Sequence, residues 1–173
     1  FENSNTDVKV EGENKLSEYF NFYIGKDPQR WTANVNGFQN LRYKNIYSNI
    51  DLIAYSENGN LKYDFLLGKS ALASAIKIKY EGADEMRLVN GQLRVKTSVG
   101  EVVEMKPFAY QLVNGEKKEV VCTFVLSGQT VSFQFPEGYN KNYDLVIDPT
   151  LIFSTFSGST ADNFGYSATY DSR

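Results

Sequence analysis

The 173-residue chain contains no histidine. That excludes Ser-His-Asp and Cys-His catalysis and any His-ligated metal site. The one cysteine, Cys122, cannot form an internal disulfide. It stands in phase with Val120, Phe124 and Leu126, so it reads as a small buried hydrophobe rather than a nucleophile. There is no excess of positive charge: 18 Lys and Arg face 21 Asp and Glu, for a net charge of −3. That balance excludes the concentrated basic face that nucleic-acid binding needs. No run approaches the roughly 18 apolar residues of a membrane-spanning helix, so we expect no membrane insertion. No secretory signal opens the chain either. Helix-forming composition is confined to GKSALASA (68–75), too short for a helix that stands alone. It predicts one helical turn between two strands.

What remains is β-type. Aromatic residues make up 14% of the chain, nearly all of them Tyr and Phe, which suit a half-buried pleated surface. The most informative stretch is LRYKNIYSNIDLIAYSENGNLKYDFLL (41–67). Ile50, Leu52 and Ala54 point one way, and Asp51, Ile53 and Tyr55 the other. Leu61, Tyr63 and Phe65 then share a face opposite Lys62 and Asp64. A period of two is the strand signature. Asn58-Gly59 between the two runs suits a type I′ hairpin turn.

Along the chain, residues 1–14 are polar, with a short alternation at Val8 and Val10, and predict an edge strand or an arm. Phe20, Phe22 and Ile24 alternate in a strand before the Asp27-Pro28 turn, and Trp31 after that turn is expected to lie as a lid over the core. Asn-Gly pairs recur at 36–37, 58–59, 90–91 and 114–115, each between apolar runs, and each predicts a turn. Strands are expected over 76–80, 86–88, 93–97, 100–105, 109–113, 120–126, 131–135, 143–147 and 151–156. Short strands at this spacing predict an all-β antiparallel architecture, a β-sandwich or open barrel built from hairpins. Texture changes near Thr150, which divides the chain into an antiparallel domain at 1–150 and a tail at 151–173. A further split into two sub-sheets is expected near Gly68.

Several segments together resemble one known arrangement. They are YFNFYIGKDPQRW (19–31), YKNIYSNIDLIAYSENGNLKYDF (43–65), IKIKYEGADEMRLVNGQLRVKTSVGEV (76–102), KPFAYQLVNGEKKEV (106–120) and NYDLVIDPTLIFSTFSG (142–158). The arrangement resembles the β-rich domain that precedes SBBP-type β-propeller repeats in large secreted proteins of Bacteroidota. Such proteins are often cargo of the type 9 secretion system, associated with gliding motility or the cell surface. The tail LIFSTFSGSTADNFGYSATYDS (151–172) resembles the opening of the first repeat: Asp162, Gly165 and Asp171 match, while Ser157 stands where a Gly is usual. The resemblance implies a secreted or outer-membrane-associated location and a missing N-terminal portion. Phe1 without an initiator Met, and an end at Arg173 in mid-pattern, likewise read as a piece of something longer.

The resulting expectation is a non-catalytic structural or adhesive module that caps or presents a repeat array, because exposed strand edges of an array need covering. Its partners would be the downstream repeats of the same polypeptide and secretion-system or cell-surface proteins. The alternative is a carbohydrate- or peptide-binding module that takes glycans or peptides on an aromatic sheet face. Its candidate residues are Trp31, Tyr43, Tyr55 and Tyr63. A hydrolase would have to use paired carboxylates, Asp51 with Asp64 or Asp144 with Asp148. Isolated Asp residues on strand faces are ordinarily solvated or paired with Lys, so no enzyme, no cofactor and no catalytic residue is expected. Asp162, Asn163 and Asp171 offer hard oxygen donors but lack the spacing of a calcium loop, so no metal site is expected.

Overall fold

The computed structural model describes residues 1–57, 60–149 and 151–154. The chain forms β1 (Lys9–Phe22), β2 (Thr32–Tyr47), β3 (Ile50–Glu57), β4 (Asn60–Leu67), β5 (Ile78–Lys79), β6 (Glu85–Val89) and β7 (Gln92–Thr97). It continues through β8 (Gly100–Glu104), β9 (Phe108–Val113), β10 (Glu116–Glu119), β11 (Thr123–Ser127), β12 (Thr130–Gln134), β13 (Leu145–Asp148) and β14 (Leu151–Ser154). The remaining regular elements among the described residues are two short 3-10 turns, Pro28–Arg30 and Ala73–Ala75, and the second is the bridge expected from GKSALASA.

Every strand pair is antiparallel, and the strands form three open sheets that do not close into a barrel. The largest runs β1-β2-β3-β4-β13-β9-β10, the second β11-β12-β5, and the third β14-β8-β7-β6. The largest sheet takes strands from both sides of Gly68, because β13 pairs with β4 through Leu145↔Leu67 and Ile147↔Phe65. Position 68 is therefore not a division of the core.

The core fills the space between the sheets. Ile50, Phe65, Leu67, Leu145 and Ile147 come from the largest sheet, Leu93 and Val95 from the third, and Phe124, Val131 and Phe133 from the second. Phe65 meets Phe133 edge-on with ring centroids 5.8 Å apart, joining two sheets through one aromatic contact. Ile50, Leu52 and Phe65 are buried on the faces that the period of two grouped, while Leu61, grouped with Phe65, is exposed. Residues 1–5 are strapped across the assembly: Glu2 N–H donates to Lys77 O and Asn5 N–H to Ile46 O, each at 2.9 Å.

The Asn-Gly pairs divide. Asn90-Gly91 and Asn114-Gly115 have positive φ at both positions and close tight hairpins. Around Asn58-Gly59, which lies outside the described residues, the ladder runs to Glu57↔Asn60. Asn36-Gly37, expected to be a turn, lies inside β2. Gly is there for closeness: a Cβ on Gly37 would come 2.8 Å from Leu16 Cδ1 and 2.9 Å from Phe20 Cε2. A second correction concerns 120–126. Strand β10 is the return of the β9 hairpin, residues 120–122 cross between sheets, and β11 begins at Thr123.

β3 covers β2 only from Asn40 to Tyr47. Beyond that point β1 and β2 continue as a two-stranded arm, paired from Lys15↔Phe38 to Phe22↔Thr32. Asp27 caps the 3-10 turn at its end by accepting from Gln29 N–H at 3.0 Å. Trp31 sits here, 43% exposed, edge-on to Tyr23 with its indole N–H on Gly25 O. It does not cover the core, because the long hairpin carries it away from the stacked sheets.

Core and arm therefore respond differently to truncation. Phe65→Ala is expected to cost about 3–5 kcal/mol in urea melts. Trp31→Ala is expected to cost about 0.5 kcal/mol, as at exposed positions generally. Equal losses would contradict this division of the molecule.

Candidate functional site

The four aromatic candidates lie in three different places. Tyr43 pairs with Leu52, and Tyr63 with Ala54, so both point to the core face of the largest sheet. Tyr55 pairs with Lys62 and points to the opposite face, where its hydroxyl reaches both carboxylate oxygens of Asp64 at 3.4 Å. Trp31 is on the arm. The alternation rule separates these residues, so no common aromatic platform forms from them.

One of the four does belong to a polar constellation. Glu104, 1% exposed, accepts hydrogen bonds from the hydroxyls of Tyr63 (3.3 Å) and Tyr80. Glu104 is on β8, Tyr63 on β4, and Tyr80 directly follows β5, so each of the three sheets contributes one residue. Glu104 faces inward because its pairing partner, Leu93, is fully buried. Burial raises the Glu104 carboxyl above its ordinary range, and the two tyrosine hydroxyls work against that rise. Both tyrosines are pushed upward, by burial first and by the Glu104 charge second. The cluster lines a cavity of about 340 Å³, whose other walls include Phe1, Ile78, Ala83, Val95 and Val102, with Lys79 and Glu81 at its margin.

Sequence reasoning missed Glu104 and Tyr80 as a site. In Glu101-Val102-Val103-Glu104 each strand face receives one Val and one Glu, so alternation does not say which carboxylate goes inward. Tyr80 was placed by its phase with Ile78, but its partner stands 24 positions away.

The carboxylates group differently from the pairs read in the sequence. Asp51 accepts from Arg42 Nε at 2.8 Å and from Asn45 N–H at 2.7 Å, closing the bulge at Asn45, whose φ is +50°. Asp144 is exposed. The pair that forms is Asp64 with Asp148, brought together by the β4–β13 ladder. Burial, then repulsion from Asp148, raises Asp64 to about 6, while Tyr55 and Lys62 oppose the shift. Cys122 is buried, as its phase predicted, and desolvation pushes its thiol up to about 12. The calcium donors considered at Asp162, Asn163 and Asp171 lie outside the described residues. Among the described residues no cluster of three metal-binding acidic side chains occurs.

Fold and site together define an all-β domain of open antiparallel sheets joined at a buried Tyr-Glu-Tyr cluster. Residues 1–150 match the family described as Domain of unknown function (DUF7948), and the chain belongs to that family. No curated protein and no solved structure matches it.

Asp64 makes stability depend on pH with a defined sign. Its folded value lies above the ordinary value of about 4, so the folded state holds the proton more tightly. That contribution is complete below about pH 4 and is lost as pH rises through 6. Asp64→Asn keeps an acceptor for Tyr55 and removes the charge. Relative to wild type it is expected to gain about 1 kcal/mol between pH 4 and 7, after discounting for solvent screening. Parallel stability curves across that range would refute the assignment.

Proposed function

We propose that this domain is a non-catalytic structural and adhesive module of a large secreted or cell-surface protein, and that it caps or presents a repeat array that follows it. The observation that carries this reading is the placement of β14. β14 pairs along β8 from Leu151↔Glu104 to Ser154↔Glu101, so the last described segment is a hydrogen-bonded outer strand of the third sheet. A unit that begins from such a strand inherits its direction and register, whereas a loose linker would leave it free to turn. An array whose first blade abuts this sheet also has its open edge covered. The resemblance to domains that precede SBBP-type repeats points the same way. The polar constellations fit a structural role: Asp51 is committed to Arg42 and Asn45, and Glu104 to two tyrosines.

A second reading, binding of glycans or peptides, is favoured by the arm. Tyr19, Tyr23 and Trp31 are 60%, 63% and 43% exposed there. Exposed aromatics of this kind offer flat surfaces for sugar rings or apolar side chains. In this reading Trp31 remains a contact residue, while Tyr43, Tyr55 and Tyr63 serve the fold.

Two experiments separate these readings. Deleting residues 1–150 from the full-length polypeptide is expected to lower the thermal midpoint and solubility of whatever array follows. An array equally soluble and stable without them would end the capping proposal. A glycan and peptide panel is expected to leave the domain's midpoint unchanged. A saturable shift that Trp31→Ala abolishes would transfer the argument to the binding reading.

A further inference from the structure

The Glu104 cavity joins carbon walls to a carboxylate whose acceptor capacity the fold uses only in part. Its walls are mostly carbon, contributed by Phe1, Ile78, Ala83, Val95 and Val102, and a buried carboxylate lines it. An ionised carboxylate offers about four acceptor directions, and the tyrosine hydroxyls use two. Among the described residues Glu104 takes part in no ion pair. Lys79 is the one cationic side chain among the described residues lining the cavity, and it is bound to Glu81 at 3.1 Å. Burial without a counter-charge raises this carboxyl, so a cation arriving there supplies the attraction that favours its charged form. The volume of about 340 Å³ is at the lower end of small-ligand pockets.

We propose that this cavity is a binding site for a small organic primary ammonium with an apolar, ring-sized body. The ammonium would donate to the free acceptor directions of Glu104, and the body would lie against Val95, Val102 and Ile78. Tyr63 and Tyr80 are positioning residues: their hydroxyls fix the carboxylate, and their rings add faces suited to a cation. The mouth charges of Lys79 and Glu81 cancel each other, so selection rests on the buried carboxylate. The proposal is independent of the capping reading.

The test uses benzylammonium, with benzyl alcohol as its neutral counterpart, near neutral pH. Binding is followed by methyl NMR shifts of Ile78, Ala83, Val95 and Val102. The expected result is saturable binding of benzylammonium at these methyls, at least about tenfold tighter than benzyl alcohol and about tenfold weaker in Glu104→Gln. Ala83→Phe, which narrows the cavity and leaves the Tyr-Glu-Tyr cluster in place, is expected to abolish it. That variant and the two-compound comparison decide the matter even if Glu104→Gln does not fold. Equal affinity for the two compounds, shifts elsewhere, or none would overturn the proposal.

Discussion

The hydrogen bonds that Tyr63 and Tyr80 donate to Glu104 are the constraint on which the arrangement of sheets depends. Apolar contacts between sheets, such as Phe65 on Phe133, favour close packing but tolerate sliding, because dispersion and hydrophobic burial are weakly directional. A buried carboxylate is different. It is tolerated only where donors meet it with good geometry, and moving any one sheet by a residue would strand it. Since β4, β5 and β8 bring the three partners from three sheets, this cluster fixes relative register in a way the leucines and valines cannot. A core of carbon alone in the same space would pack, but it would specify the three-way arrangement less sharply.

The β1–β2 hairpin obeys the opposite logic. Over its inner half it is one layer of a seven-stranded sheet, and Asp51, Arg42 and the bulge at Asn45 tie it to β3. Over its outer half no third strand pairs with it among the described residues, and its aromatics pack on each other and on glycines. Gly12 lies beneath the Phe38 ring and Gly37 beneath Leu16 and Phe20. A two-stranded ribbon is only marginally stable by itself. Here the inner half anchors the register, and the outer half is held by aromatic cover on missing side chains. This explains how a surface so rich in Tyr and Phe stays ordered while remaining exposed.

Local chemistry was readable from the sequence, and long-range assembly was not. The alternation of Ile50, Leu52, Phe65 and Leu67 is a property of adjacent residues, as are the positive φ angles at Asn90-Gly91, so both follow from a short window. The failure at Asn36-Gly37 shows the limit: glycine serves positive φ and close approach equally, and only the partner strand distinguishes them. Trp31 was misplaced for the same kind of reason, since the length by which a hairpin outruns its neighbour is not written in the hairpin. Glu104 with Tyr80, and Asp64 with Asp148, required knowing which strands become neighbours. The β13–β4 pairing that creates the second pair joins segments far apart in the chain. Among the site candidates, Tyr63 alone lines the cavity, and the sequence offered it as a half-buried sheet aromatic or a ligand platform rather than as a donor to a buried carboxylate.

Edges close the argument about context. A sheet edge exposes unpaired backbone groups, and folded proteins guard such edges with charge, brevity, bulges or cover. β10 is Glu-Lys-Lys-Glu, wholly exposed. β6 carries Glu85 and Arg87, and β1 carries Lys9, Glu11, Glu13 and Lys15 together with an irregular register. β5 is two residues long, and β11, though uncharged, runs beside β6. By sequence β14 is Leu-Ile-Phe-Ser, with no charge and no proline, and it ends the third sheet among the described residues. It carries no guarding residue of its own, and its cover among the described residues comes from β4, which it runs close to. An uncharged outer strand of this kind suits a sheet edge that another segment packs against. The edge chemistry of β14 therefore supports the proposed reading, in which a further unit packs against that strand.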